Sequence, residues 1–318
     1  MTDARLPKGE LASVPQQLGE AVQGTRALRP TETTVSDAPP GVPGVPGVPG
    51  VPVPPLKIQL LGRVELRVDG REIHVGSRAA QALIALLALT PRVRAREAVA
   101  ADLWPESEGG GVAASMRQAL WHLRSAFLSA GCTLDDYLQI EPEVVGLRPD
   151  GPIDVDVNRF ETCLRWRPSR PEEALLLYRG DLVEGLGLEC FTAERERLSD
   201  DYEDALALVA QQRFEAGDSA GARQAALHLL GRDPLREDGH STLLRVLGRD
   251  GARSHVVRQY RRLVELLDRE LGVEPLPETA VAYRAALADT VDQSRRRALR
   301  AALAAVGGRS GLGVIARG

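Results

Sequence analysis

Lysine is almost missing from these 318 residues: Lys8 and Lys57 are the only two, and arginine supplies the rest of the 40 basic side chains. Cysteine is scarce and odd in number. Cys132, Cys163 and Cys190 show no CxxC and no Cys/His ligand spacing, which excludes a disulfide frame and a zinc site and reads as reduced cytosolic thiols. Aromatic residues make up only 4%, so the cores must be built from Leu, Val and Ala, a balance that favours packed helices over a large sheet. The longest purely aliphatic run, Ala82 to Leu89, is far too short to cross a bilayer, and no charged-then-apolar signal segment opens the chain. A soluble, cytoplasmic protein with no membrane partner is expected.

Catalytic signatures are missing too. Neither lysine sits in GxxxxGK[ST], which excludes an appended nucleotide-driven ATPase. His74, His122, His228, His240 and His255 form no HExxH pair, and no GxSxG occurs. Gly311, Gly313 and Ala316 imitate part of a dinucleotide fingerprint, but no strand–helix–strand unit surrounds them. Glu194, Glu196, Asp200, Asp201, Glu203 and Asp204 share a helical pattern with Arg195 and Arg197, which suits surface ion pairing better than paired catalytic carboxylates. No enzyme, no cofactor and no metal are expected.

What is present divides the chain. Residues 1–55 are rich in Pro and Gly and end in GVPGVPGVPGVPVPP. Pro lacks a donor and Gly loses too much entropy for such a repeat to hold a helix, so a disordered lead-in is expected, with no room for a phospho-receiver domain. From Lys57, KIQLLG, RVELRV and IHV read as short strands. SRAAQALIALLALT reads as a helix capped by Ser77 and followed by Pro91. AREAVAADLWP is a second helix, ESEGGG a break, and VAASMRQALWHLRSAFLSAG a third helix ended by Gly131. YLQI and VVGL, around Glu141-Pro142-Glu143, close as a hairpin. Strands, three helices and a terminal hairpin describe an α+β winged helix-turn-helix over 56–150.

Beyond Ile153 the pattern reads as helical to about Asp289. Gly217 and Gly251 stand 34 positions apart, with apolar residues in matching places: Val209 and Leu243, Ala210 and Leu244, Leu229 and Leu263. A 34-residue period of paired helices is the tetratricopeptide signature, so 151–290 is expected to be an all-α helical-repeat domain. Residues 291–318 are expected to form a basic, flexible tail. The fold class is therefore mainly α.

These pieces resemble, in order, the SARP-type regulators of actinomycetes, an OmpR-like DNA-binding domain fused to a bacterial transcriptional activator domain. The resemblance runs from about Leu60 to Asp289. It is carried by LLGRVELRVDG, REAVAADLWP, SMRQALWHLR, DVDVNRFE, YRGDLVEGL, ERERL, DPLRE, RQYRRL and ELGVEPLPET. It implies an activator of promoters, often those of specialised-metabolite (antibiotic) gene clusters. The partners it implies are double-stranded promoter DNA and RNA polymerase, together with a homodimer or cooperative protomers. The chain departs from many relatives, which have Arg near Ala113 and at His122, and Lys near Ala79. Losing those phosphate-reaching positions points to weaker DNA binding, and to a protein-interaction scaffold as the alternative.

Charge agrees with a division of labour. The chain carries −4 overall, but residues 152–290 are strongly acidic, the winged helix is near neutral, and 291–318 is basic. Between Gly109 and Leu134 no acidic residue occurs, as a helix entering a polyanionic groove requires. Met116, Leu120, Leu123 and Phe127 form the apolar face of the third helix. Opposite lie the candidate base readers Arg117, Gln118 and His122, with Ser125 beside them and Arg124 as a phosphate contact. Solvated side chains on an amphipathic helix remain the plain alternative. Trp121 fits DNA contact and packing on the core edge or wing equally well. Arg92, Arg94 and Arg96 could hold phosphates or form a solvated loop, and the acidic hairpin tip is expected to add little affinity. A chain cut near Asp150 is expected to keep its sequence preference.

Overall fold

The computed structural model describes residues 53–90, 92–106, 110–166 and 169–307. The Val-Pro-Gly lead-in, Pro91, the middle of the ESEGGG break and the glycines near the end of the tail lie outside the described residues. The fold is mostly helical, with a mixed α/β region first and a helical bundle after it.

Alternating burial builds the first sheet. In β1 (Leu56–Gln59), β2 (Glu65–Val68) and β3 (Arg71–Ile73), Leu56, Ile58, Leu66, Val68 and Ile73 turn to one face and are nearly inaccessible, as a half-buried sheet demands. Leu56 pairs with Val68 and Ile58 with Leu66 in antiparallel register. Over this face lies α1 (Arg78–Leu89), capped by Ser77, whose hydroxyl accepts from the Ala80 N–H at 3.4 Å. Ala82 through Ala88 are all buried, so α1 is the central helix of the region. Then come β4 (Arg94–Ala95), α2 (Arg96–Leu103) and α3 (Gly110–Ser129), followed by the hairpin of β5 (Leu138–Ile140) and β6 (Val144–Leu147). The hairpin joins β4 in a second sheet of order β4-β6-β5. Gly146 makes that sheet possible: a Cβ there would stand 2.7 Å from the Val93 Cα, with backbone that cannot yield.

The fourth strand of the first sheet departs from the pattern read in the sequence. Residues Ile153–Val155, read from sequence as the start of the helical domain, form β7, which pairs in parallel with β1 and completes a four-stranded sheet of order β3-β2-β1-β7. Directly after it, Asp156 opens α4 (Asp156–Arg165). Its buried carboxylate accepts from the N–H groups of Leu60 at 2.9 and 3.0 Å, Leu61 at 2.9 Å and Val157 at 2.8 Å.

A second departure follows α5 (Pro171–Leu177). The YRGDLVEGL segment is not helical. It lies along the first sheet's end, where Leu182 bridges Leu61, the Val183 N–H donates to the Leu60 carbonyl at 2.8 Å, and the Glu184 N–H donates to Gly62 at 2.7 Å. Arg195 holds the segment from behind, donating to the Leu182 and Leu186 carbonyls at 3.1 Å. One apolar core runs unbroken from Leu56 through Phe160, Leu182 and Val183 to Leu206. A cut near Asp150 would remove β7, Asp156 and the cover of Leu60 and Leu61, which weighs against the expectation that so short a chain keeps its preference.

The repeat is visible as two helical hairpins, α6 (Thr192–Glu215) with α7 (Ser219–Arg232), and α8 (Glu237–Arg249) with α9 (Arg253–Leu271). Gly217 (φ 86°) and Gly251 (φ 71°) occupy the matching turns in the left-handed region. Val209, Leu243, Ala210, Leu244, Leu229 and Leu263 are all buried, so the matched positions line the interior of the stack. The acidic cluster on α6 is engaged in ion pairs. Arg197 reaches Glu161 at 2.5 Å, Glu194 at 2.6 Å and Asp201 at 2.8 Å, and Arg236 reaches Asp204 at 2.9 Å. The last helix, α10 (Pro277–Gly307), continues through Val291, where the sequence reading began a flexible tail. Ala and Arg are good helix formers, and Gln293 packs beside Gly251 while Arg297 donates to the Asp250 carbonyl at 2.9 Å.

His240, buried on α8, carries a pH consequence. Its Nε2–H donates to the Pro234 carbonyl at 3.0 Å and its Nδ1 accepts from the Gln259 amide at 2.8 Å. Burial pushes its pKa below the usual imidazole value. The folded chain thus holds it neutral, while the unfolded chain takes up a proton near pH 6.5. Stability is full above that pH and falls as pH drops below it, by about 1 kcal/mol per unit until the folded pKa is reached. Denaturant midpoints at pH 7.5 and 5.5 should fall further in the parent than in His240→Gln. Equal falls would show that other groups carry the acid sensitivity.

Candidate nucleic-acid interface

α3 is assembled by its inner face. Met116, Ala119, Leu120, Leu123 and Phe127 are all nearly inaccessible, with the Phe127 ring 5.8 Å from that of Tyr137. Burying one side of a helix this completely fixes which residues the other side offers. Arg117, Gln118, Trp121 and Arg124 are exposed there, and Ser125 and His122 are half-buried at its margins. At 3.6 residues per turn, Arg117 and Gln118 lie one turn before Trp121, and Arg124 and Ser125 one turn after it. Five of the residues expected from sequence therefore share one outward stripe, with His122 at its border.

Their commitments differ. Among the described residues, Arg117 and Gln118 make no hydrogen bond or ion pair, so their donors face solvent. Trp121 is 62% exposed, which removes the reading that it packs on the core or the wing. Its ring stands edge-on to that of His122 at 4.9 Å. Arg124 is paired with Asp135 at 3.2 Å, both half exposed, so the pair is held loosely. Asp135 lies just past the acid-free stretch, and only the fold shows that it turns back to α3.

The arginines before α2 are drawn inward. Arg94 pairs with Asp102 at 2.7 Å, and its backbone belongs to β4, opposite Val145. Arg96 donates to the Glu141 carbonyl at 3.3 Å, tying α2 to the wing. Arg92 is exposed and, among the described residues, makes no such contact. At the wing tip Glu141, Pro142 and Glu143 are all exposed, and Arg148 is turned away, donating to the Asp135 carbonyl at 2.6 Å. Arg96, Trp104, Met116, Arg117 and Pro142 line a cleft of about 720 Å³ between α2, α3 and the wing.

Among the described residues no group of His, Cys, Asp and Glu side chains stands close enough to hold a metal ion, and no helix is long and apolar enough to cross a membrane. The three cysteines are free thiols, and burial raises the pKa of Cys132 and Cys190, away from the reactive thiolate.

The second half of the fold carries the family similarity. Residues 165–287, from the end of α4 into α10, match the family model of the bacterial transcriptional activator domain. That stretch is similar to bacterial transcriptional activator domains. Beyond that stretch the chain has a distant similarity to transcriptional regulators. The transcriptional regulatory protein MoaR1 of Mycobacterium tuberculosis is 25% identical over 245 residues, which cover 72% of this chain and 78% of MoaR1. The solved structure of Mycobacterium tuberculosis EmbR in complex with a low-affinity phosphopeptide shares the fold at a TM-score of 0.60 and 23% identity. That match covers 76% of this chain and 66% of the EmbR chain, so the chain spans just under two thirds of that solved relative.

Proposed function

We propose that this protein is a SARP-type regulator that reads promoter DNA through α3 and activates transcription from a specialised-metabolite gene cluster in the cytoplasm. The observation that carries this reading is the outward stripe of α3. Two side chains with unengaged donors, Arg117 and Gln118, stand side by side on a helix face that bears no acid. Arg can donate bidentately to guanine O6 and N7, and Gln can pair in the same way with adenine. In this reading residues 56–150 serve the DNA, while 151–290 contact RNA polymerase or a second protomer. The acidic surface of the helical bundle supports that assignment, since phosphate would repel it.

Arg117→Ala should weaken binding to the specific site by about 1–3 kcal/mol and relax preference at one base pair, leaving binding to random duplex unchanged. Gel shifts with both duplexes over a salt series measure this. Equal losses on both would make Arg117 a phosphate contact.

A second reading has its own observation. Arg94, Arg96, Arg124 and Arg148 are all turned to internal partners, and the wing tip is acidic, so few cations are left for phosphate. A scaffold with lost DNA affinity would follow. It predicts weak, sequence-indifferent retention in the same gel shifts, where the activator predicts a footprint that survives competitor DNA.

A further inference from the structure

We propose that Trp121 is the specificity-determining centre of α3 and recognises the 5-methyl group of a thymine in the major groove. The inference rests on the reading of α3 as the base-reading helix and names what its middle turn reads. An indole 62% exposed on a helix whose other face is fully packed has no internal reason to stand where it does. Core packing does not use it, since Met116, Ala119, Leu120, Leu123 and Phe127 already fill that side. It is also the largest side chain of the stripe and sits at its midpoint, one turn from Arg117 and Gln118 and one turn from Arg124. A side chain there meets the floor of the groove at the centre of the helix's footprint.

The chemistry of that floor selects the partner. Base edges in the major groove offer N7, O6 and O4 acceptors, amino donors, and a single apolar group, the thymine methyl. Indole is a broad apolar plate with one N–H, so among those edges the methyl is what its carbon face can bury. The His122 ring, edge-on at 4.9 Å, limits the indole's freedom and reduces the entropy lost on docking. A protein partner could also use an exposed Trp, and Leu128, 78% exposed two turns later, would extend such a patch. The hydrogen-bonding side chains interleaved with Trp121, and the absence of any acid on the helix, favour bases.

The test uses the full chain and a duplex selected from random DNA by that chain. Each thymine of the site is replaced in turn by deoxyuridine, which removes the methyl alone. At one position the parent should bind about fourfold to tenfold more weakly, the range expected for losing one buried methyl contact in a packed site. Trp121→Ala should bind the unmodified site about tenfold or more weakly and be indifferent to deoxyuridine at that position, while Trp121→Phe should keep part of the sensitivity. Circular dichroism should show the same fold in all three. Deoxyuridine without effect at every position, or an undiminished penalty in Trp121→Ala, overturns the proposal while leaving the effect of Arg117→Ala intact. If the parent does not prefer its selected duplex over random DNA, the DNA-reading function fails and this inference falls with it. A change in sedimentation from dimer to monomer in Trp121→Ala and Leu128→Ala, without the deoxyuridine effect, makes the stripe a protein contact instead.

Discussion

A chain ended after Asp150 should fail to fold as a winged helix, showing no cooperative thermal transition and no sequence preference. The cut lies beside β7, whose pairing with Leu56, Lys57 and Ile58 gives the sheet its fourth strand. It also takes away Val155, Val157, Phe160, Leu182 and Val183, all members of the same core as Leu56, Ile58, Leu60 and Leu61. Re-exposing a buried Leu or Ile costs about 1.5–3 kcal/mol, so uncovering this group approaches the whole stability of an ordinary domain, about 5–15 kcal/mol. The backbone groups of Leu60, Leu61 and Gly62 lose their partners as well. Thermal melts followed by circular dichroism, with the full chain alongside, measure the effect. A short chain that melts cooperatively near the parental temperature would show the first region to be self-sufficient, and the core described above to be two cores in contact.

Asp156→Ala should lower stability by about 3–5 kcal/mol, among the largest effects of any single substitution outside the apolar core. Three N–H groups converge on this carboxylate, two of them from the far end of β1 and one from its own helix. Alanine leaves all three buried without an acceptor, at roughly 1–3 kcal/mol each before relaxation. Asparagine keeps one oxygen but turns an NH₂ group toward donors, so Asp156→Asn should fall between parent and alanine. Urea midpoints of the three proteins test this order. Because Asp156 joins the end of β1 to the start of α4, the loss should appear in one transition that includes both halves of the described fold. A drop below about 1 kcal/mol would mean that water reaches these N–H groups and replaces the carboxylate.

The helical periods were legible because they are local. Met116, Leu120, Leu123 and Phe127 announce their buried face at fixed spacing, and Gly217 and Gly251 announce two matching turns. Ser77 as a cap and the hairpin around Glu141-Pro142-Glu143 were legible for the same reason, since each depends on neighbours within a few positions. The outward stripe of α3 follows from its buried one by subtraction. What could not be read was every partnership across long separation. Nothing near Ile153 in the chain says that its three residues lie against Leu56, and nothing near Leu182 says that the segment leaves the helical pattern to bridge Leu61.

The candidate site divides along the same line. Composition and spacing alone determined that α3 is an acid-free amphipathic helix bearing Arg117, Gln118, Trp121 and Arg124 on one side, because helix geometry turns sequence spacing directly into a face. Only the tertiary structure decided which of those groups remain available. Asp135 comes back beside Arg124, Asp102 beside Arg94 and the Glu141 carbonyl beside Arg96, while Trp121 is left in the open. An ion pair or a hydrogen bond between distant residues depends on where the backbone has been carried, and that path is set by the packing of the whole core rather than by any stretch of sequence.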